Sequence, residues 1–286
     1  MLANSDWQVA QQTNKANEMT GSETIHSACY NQNTKLVKQL LINIKPTVLN
    51  KKITDYSSLI QGAPLHIACK NGNIKIVRLL IEAGADKEIK DVGRQSPLSI
   101  AASKNYYDIT KYLIEVGADV HSKGPNGLQP IHFACAGGDR KIIELLLSQG
   151  IDVNIVDSLK SSLLEFTTNL GIGNLEAAKT LVENGIDDKH ISTGFKWACW
   201  RNNPRIAKYL LKCGADYQSH TTPKSELLFW ICELGHKEIV KLLLKLNVDF
   251  TKKVNFKGRM SSYNGSPLDR AIATNQIEIV KLIRGA

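Results

Sequence analysis

The sequence lacks the patterns that mark membrane and exported proteins. No apolar run approaches the roughly 18 to 20 residues that a helix needs to cross a bilayer. The segment Met1 to Thr20 is rich in Asn and Gln, and it has no apolar centre of the kind found in secretory signals. We therefore expect a soluble, cytoplasmic protein, in the host cell cytoplasm if the source is a pathogen.

Motifs of catalysis and cofactor binding are also missing. The sequence has no phosphate-binding loop, no dinucleotide-binding fingerprint and no nucleophile in a recognised motif. Its cysteines and histidines form no Cys-x-x-Cys or His-x-x-x-His pair, the spacings typical of zinc sites. We therefore expect no catalytic residue, no cofactor and no metal site, and we expect that the protein is not an enzyme.

What the sequence contains instead is a motif that returns every 33 residues. The three clearest copies are Ala-Pro-Leu-His-Ile-Ala-Cys at 63–69, Ser-Pro-Leu-Ser-Ile-Ala-Ala at 96–102 and Gln-Pro-Ile-His-Phe-Ala-Cys at 129–135. Gly84 recurs with the same step at Gly117 and Gly150. A fixed period of this length is typical of stacked-repeat proteins, and it favours binding over catalysis as the function.

Each copy encodes two short helices. Pro64 suits the first turn of a helix, because the N–H that proline lacks would be unpaired there. The Asn-Gly-Asn cluster at 71–73 is a turn signal that ends this helix. Apolar residues then recur at helical spacing from Ile74 to Glu82. Gly84 can take the left-handed conformation that ends the second helix.

This helix, turn, helix and loop unit, with its Pro-Leu-His start and Gly-Ala-Asp end, resembles the ankyrin repeat. The resemblance implies an all-α solenoid of stacked helix-turn-helix units with protruding hairpin loops. It covers almost the whole chain, after a flexible or capping N-terminal segment at 1–21. The expected solenoid is 22–286, with repeats near 22–57, 58–90, 91–123, 124–156, 157–187, 188–220, 221–260 and 261–286.

Cysteine and histidine recur at fixed positions of the repeat, which indicates a structural role. Five cysteines occupy the small position four residues after the repeat leucine, namely Cys29, Cys69, Cys135, Cys199 and Cys232. We expect them to be reduced core thiols, because free cysteine packs as a small hydrophobe. In the first helical turn, where the resemblance implies hydrogen bonds to neighbouring loops, the repeated residues are His26, His66 and His132.

The net positive charge comes entirely from the last third of the chain. Residues 195–286 contain 16 Lys and Arg against 7 Asp and Glu, and this difference of +9 equals the net charge of the whole chain. The loop before the eighth repeat is 7 residues longer than its counterpart after Gly84. Its candidate binding residues are Lys252, Lys253, Phe256, Lys257 and Arg259. Basic residues interleaved with aromatics suit an acidic partner.

The resemblance also implies that a partner lies along the concave face formed by loop tips and by the exposed ends of the first helices. The helix-end candidates are Tyr30, Lys70, Asn71, Lys104, Trp200, Arg201, Glu233 and Leu234. Trp197 and Trp230 fall at a position where we expect core side chains. Trp200 is either partly exposed or folded down beside the loop between Gly185 and Phe195, which is shorter than its counterpart between Gly84 and Leu98. Tryptophan and arginine are enriched among binding hot spots.

We therefore expect a non-enzymatic, monomeric protein–protein interaction scaffold. Its concave face and basic C-terminal loops would bind a protein with an acidic surface, and salt would weaken that association. Two alternatives stay open. The chain could be a regulatory or targeting domain of a larger enzyme or host-directed effector. The basic C-terminal half could instead bind nucleic acid or anionic lipid, although no recognised nucleic-acid motif accompanies the charge.

Overall fold

The structure is a computed structural model that describes residues 21–53, 62–168, 173–220, 226–257 and 262–285, with the backbone alone at 21–24, 254–257 and 262–263. The chain divides into two compact units. Met1–Ile151 and Asp157–Leu159 form the first unit, while Asp152–Val156 and Lys160–Ala286 form the second. The predicted N-terminal segment lies almost wholly outside the described residues, and the predicted repeat limits stay predictions.

The first unit is built from successive helix pairs. Its helices are α1 Gly21–Tyr30, α2 Thr34–Leu41, α3 Pro46–Leu49, α4 Pro64–Asn71, α5 Ile74–Glu82, α6 Pro97–Ser103, α7 Tyr107–Glu115, α8 Pro130–Gly137 and α9 Arg140–Leu147. The first helices of the pairs pack in a row, with α4 between α1 and α6, and α6 between α4 and α8. The second helices form a parallel row in which α5 contacts α2 and α7, and α7 contacts α9.

The second unit repeats this arrangement. Its elements are α10 Leu163–Thr167, α11 Leu175–Glu183, α12 Asp188–Trp200, α13 Pro204–Lys212, α14 Glu226–Glu233, α15 Lys237–Leu244, β1 Val254–Lys257, β2 Ser262–Gly265, α16 Pro267–Ala273 and α17 Ile277–Arg284. The row of first helices runs α10, α12, α14, α16, and the row of second helices runs α11, α13, α15, α17. The predicted all-α repeat class is confirmed.

Local sequence signals set the helix ends where the repeat is regular. Helices α4 and α5 have the predicted limits. Gly72 ends α4 with a φ of +76°, and a Cβ atom there would lie 2.6 Å from the ring of Tyr106, so the position requires glycine. The side chain of Asn73 then caps α5 by accepting a hydrogen bond from the N–H of Ile76 at 3.2 Å.

Two segments depart from a regular loop. Helix α12 begins at Asp188, so helix replaces most of the shortened loop that the sequence predicts between Gly185 and Phe195. The long loop before α16 forms an antiparallel hairpin, in which Val254 of β1 pairs with Gly265 of β2 and Lys257 pairs with Ser262. This hairpin is the only regular sheet in the described ranges.

Adjacent repeats are tied by hydrogen bonds that recur with the repeat. The backbone N–H of the aspartate in the Gly-Ala-Asp segment, or of its counterpart, donates to a side-chain oxygen of the preceding repeat at 2.8 to 2.9 Å in three places. The three pairs, given donor first, are Asp86 with Asn50, Asp119 with Glu88 and Asp187 with Asn154. The corresponding N–H of Asp216 donates to Oγ of Ser192 at 2.9 Å, within the predicted limits of the sixth repeat. These bonds satisfy loop backbone that local structure would leave unpaired.

The repeated cysteines lie in the core, as expected. All five are buried with no exposed surface, and Ala102 fills the same position in the third repeat. Burial raises the pKa of the Cys29 and Cys232 thiols to about 12, because the thiolate loses its solvation there. Cys213 lies outside this series and is half-exposed.

Two of the repeated histidines, His26 and His66, bond to neighbouring loops, which agrees with the structural role expected of them. His66 accepts a hydrogen bond from the N–H of Ala63 at Nδ1 (3.1 Å) and donates from Nε2 to the carbonyl of Ile89 (2.9 Å). His26 reaches the carbonyl of Lys51 at 2.8 Å in the same way. Burial lowers the pKa of His66 and outweighs the opposite effect of Asp91.

We expect alkylation of the native protein with iodoacetamide to modify Cys213 alone. The thiolate is the reactive form, and the five buried thiols neither ionise readily nor contact the reagent. Intact-mass spectrometry should show one adduct on the native protein, none on Cys213→Ser, and six on the unfolded chain. Rapid modification of Cys69 or Cys135 in the native protein would show that these cysteines are not buried in the core.

We expect His66 to make the protein less stable in acid. The folded state disfavours protonated His66, so the unfolded chain binds more protons, and the free energy of unfolding falls as the pH drops below about 6.5, the usual histidine pKa. His66→Ser should cost about 1–3 kcal/mol at pH 7 through two lost hydrogen bonds. It should also flatten the pH dependence of urea unfolding between about pH 7 and pH 5.

The matched control for His66→Ser is Ser99→Ala, which alters the same position one repeat later. Ser99 bonds to the Ser96 hydroxyl at 3.1 Å, so its removal weakens local packing without removing a group that titrates in this range. Ser99→Ala should retain the wild-type pH dependence. Equal pH dependence in His66→Ser and in the wild type would show that this imidazole does not carry the effect.

Candidate functional site

Helix α12 ends in a cluster of two tryptophans and one arginine. We call Trp197, Trp200 and Arg201 the Trp–Arg cluster. The two tryptophans are three residues apart on one helix face, and their ring centroids lie 5.0 Å apart at an interplanar angle of 81°, an edge-to-face arrangement. The side chain of Trp200 is 40% exposed. The partly exposed alternative for Trp200 is therefore the one that the structure adopts.

Arg201 is held against both rings and against the preceding repeat. Its guanidinium carbon lies 4.8 Å from the ring centroid of Trp197 and 5.9 Å from that of Trp200, within the range of cation–π attraction. Nη1 donates to the carbonyl of Glu165 in α10 at 3.1 Å and lies 3.5 Å from Oγ1 of Thr168. These contacts fix the direction of a long side chain that would otherwise sample many rotamers.

Partial burial leaves Arg201 charged. Burial lowers its pKa, and the charge of Glu165 opposes that shift, but an arginine keeps its proton throughout the physiological range. Among the described residues, no carboxylate oxygen lies within 4.0 Å of its guanidinium nitrogens. The cluster therefore presents a positive charge beside an exposed indole.

The expectation that Trp197 and Trp230 are core residues is wrong. Both side chains are half-buried. The same repeat position buries Ile67 and Ile100 almost completely but leaves Phe133 half-buried. The stack covers an aliphatic side chain there, whereas a larger aromatic ring extends beyond its neighbours to the surface.

Glu233 and Leu234 differ in how accessible their side chains are to a partner. Glu233 accepts hydrogen bonds at Oε2 from Nε (3.0 Å) and Nη2 (2.7 Å) of Arg270, and the two side chains are 28% and 27% exposed. Its carbonyl accepts from Nε2 of Gln276 at 2.7 Å. Glu233 therefore ties α14 to the last helix pair. Leu234 is 52% exposed and remains accessible.

In the first unit, the helix-end candidates are accessible apart from one. Tyr30, Lys70 and Lys104 are exposed. Asn71 uses its amide to donate to the carbonyls of Tyr30 at 3.0 Å and Cys29 at 3.5 Å, so its side chain caps the end of α1.

Of the loop candidates, Lys252 and Lys253 are exposed immediately before β1. Phe256 and Lys257 lie in β1, where the structure describes the backbone. Arg259 lies outside the described residues.

Two features of the structure could not be predicted from the sequence. Asn203 joins the end of α10 to its own repeat, because its Nδ2 donates to the carbonyl of Thr168 at 2.9 Å and its Oδ1 accepts from the N–H of Gly173 at 3.0 Å. In the first unit, a groove of about 340 Å³ lies between α5 and α7, with Arg78 4.2 Å from the ring centroid of Tyr112. Both depend on residues about one repeat apart, so spacing within a helix gives no signal for them.

Comparison with known proteins agrees with the helix-pair architecture. None of the helices within the described ranges is long and apolar enough to cross a membrane. No curated protein sequence matches the chain closely enough to count as a relative. The family model for ankyrin repeats, which represents three copies, matches residues 3–91, 25–124, 65–157, 98–192 and 195–286. Because these matches span nearly all of its length, the chain belongs to the ankyrin-repeat family.

Proposed function

We propose that this protein is a non-enzymatic scaffold that binds a partner protein through the Trp–Arg cluster and the basic segment that leads into β1. Ankyrin repeats generally mediate protein–protein interaction. The observation that carries the proposal is the 40% exposed indole of Trp200, stacked beside Arg201 at the end of a first helix. Tryptophan and arginine dominate binding hot spots, because each buries a large surface with few rotatable bonds or a fixed donor fork.

Preorganisation supports this role. The hydrogen bond from Arg201 to the Glu165 carbonyl and the edge contact between the two tryptophans exist before any partner arrives. A partner would therefore immobilise few additional side-chain torsions, each of which costs about 0.5–1.5 kcal/mol when it is frozen on binding. Rigid presentation of an aromatic anchor is the mechanism by which such a surface gains affinity.

Charge favours a partner with an acidic surface. Residues 195–286 carry the whole net charge of +9, and Lys252 and Lys253 are exposed. Like-charged surfaces would be repelled, while an acidic surface would be steered toward this half of the chain at low salt. A cytoplasmic location and a monomeric state belong to the same proposal. The cytoplasmic location is favoured by the five buried thiols, which suit a reducing compartment.

The proposal predicts that Trp200→Ala combined with Arg201→Gln abolishes capture of a specific partner. Loss of a hot-spot pair should weaken binding by at least about tenfold. The immobilised wild type and double variant would be exposed to the same cell lysate, and the retained proteins would be compared by quantitative mass spectrometry. Circular dichroism and thermal melting would first confirm that the double variant is folded.

The matched control for this capture experiment is Arg205→Gln, which removes one exposed positive charge from α13 in the same repeat. It should retain the proteins captured by the wild type. Equal capture by the wild type and the double variant would reject the Trp–Arg cluster as the binding site. If captured material consists of nucleic acid that all variants retain, the basic half binds polyanions and the protein-scaffold proposal fails.

A further inference from the structure

We infer that the Trp–Arg cluster recognises a carboxylate side chain in an acidic peptide segment of the partner. In this arrangement, Arg201 binds the carboxylate, and the exposed ring of Trp200 packs against an apolar side chain of the same peptide. The inference rests on the proposed function and adds the chemistry of the ligand.

The described residues use only some of the donors of Arg201. A guanidinium has five N–H groups in a planar fork. In the described part of the chain, Nη1 donates to the Glu165 carbonyl and reaches toward Thr168, while Nε and Nη2 have no acceptor. The edge formed by Nε and Nη2 matches the two oxygens of a carboxylate.

Arg270, also in the second unit, uses the same Nε and Nη2 edge to bind a carboxylate. Its Nε and Nη2 donate to Oε2 of Glu233 at 3.0 and 2.7 Å, so the chain supplies a carboxylate from its own sequence. Glu233 occupies the repeat position of Trp200, 33 residues later. Where the seventh repeat provides an internal carboxylate, the sixth repeat provides an exposed indole. Within the described residues, the Nε and Nη2 edge of Arg201 is open to a carboxylate from outside.

Neither Glu165 nor Glu233 forms an ion pair with Arg201 in the described part of the chain, and each has other partners. Glu165 is buried, and its Oε1 accepts a hydrogen bond from the N–H of Ser162 at 3.2 Å as part of the cap of α10. Glu233 is neutralised by Arg270. A partly buried arginine binds a carboxylate more strongly than a fully exposed lysine does, because water screens the pair less.

The neighbouring repeat favours an acidic peptide over a polyanion. Thirty-three residues after Trp200 and Arg201, the corresponding positions hold Glu233 and Leu234. A phosphate backbone binds along a row of positively charged side chains. The next repeat instead places the acidic Glu233 and Leu234, which is 52% exposed, at these positions. A peptide with one or two carboxylates and an adjacent aliphatic or aromatic residue matches this alternation of charge and apolar surface.

The experiment is a selection of random 12-residue peptides, displayed on phage, against the full chain, with counter-selection against Trp200→Ala combined with Arg201→Gln. We expect the enriched peptides to share an Asp or Glu within a few residues of Leu, Ile, Phe or Trp. One enriched peptide would then be synthesised with a fluorophore, together with a version in which each Glu becomes Gln and each Asp becomes Asn. Fluorescence anisotropy would give both dissociation constants.

The acidic peptide should bind the wild type about tenfold more tightly than its neutral version does, the difference expected for a charged hydrogen-bonded pair. Arg201→Gln should remove that difference, and Arg201→Lys should restore only part of it, since an ammonium lacks the planar fork. Trp200→Ala should weaken both peptides by a similar factor. Arg205→Gln should bind both peptides as the wild type does.

Three outcomes would overturn the inference. Peptides that depend on the cluster but contain no acid would leave the proposed scaffold function intact and reject carboxylate recognition. Selection without any peptide that depends on the cluster would also reject it, and the lysate capture would judge the scaffold function separately. A labelled single-stranded oligonucleotide whose affinity falls more in Arg201→Gln than in Arg205→Gln would assign the site to phosphate.

Discussion

Within each unit, the apolar face of one helix pair is covered by the next pair, and the rest of the structure depends on this constraint. A pair of eight-residue helices cannot bury enough surface by itself, so stability is shared between neighbours. The inter-repeat position therefore holds small side chains such as Cys69 and Ala102, which let the helices approach closely. Hydrogen bonds follow the same rule, because the Asp86 N–H finds its acceptor on Asn50 in the preceding repeat.

The end of the first helix shows how one structural position takes different roles. Its last carbonyls need donors from outside the helix, and the neighbouring repeat supplies them. Asn71 uses a neutral amide for this purpose. Arg201 also donates to a carbonyl of the preceding repeat, but it brings a charge and a planar fork with donors to spare. The binding group that we propose therefore differs from a structural hydrogen-bonding group by one change of side chain.

The distribution of charge separates the last third of the chain from the rest, while both parts share one architecture. Residues 1–194 contain 20 Lys and Arg and 20 Asp and Glu, so their charges balance, and the excess begins in α12, where Trp197 and Trp200 also lie. An aromatic anchor among positive charges combines apolar burial, which supplies affinity, with long-range attraction, which supplies rate and selectivity. Neither contribution requires a change in the fold, so the proposed site is compatible with an intact stack of repeats.

The sequence by itself determined the period, the helix limits in the regular repeats, the burial of the cysteines and the bonding role of His66, because each depends on local propensity or on a position that recurs. It also singled out Trp200 and Arg201 by their departure from the repeat. Only the tertiary structure decided that Trp197 reaches the surface, that Glu233 is engaged by Arg270, and that Glu165 orients Arg201. Those facts depend on the distance and direction of side chains in adjacent repeats, which spacing along the chain does not encode.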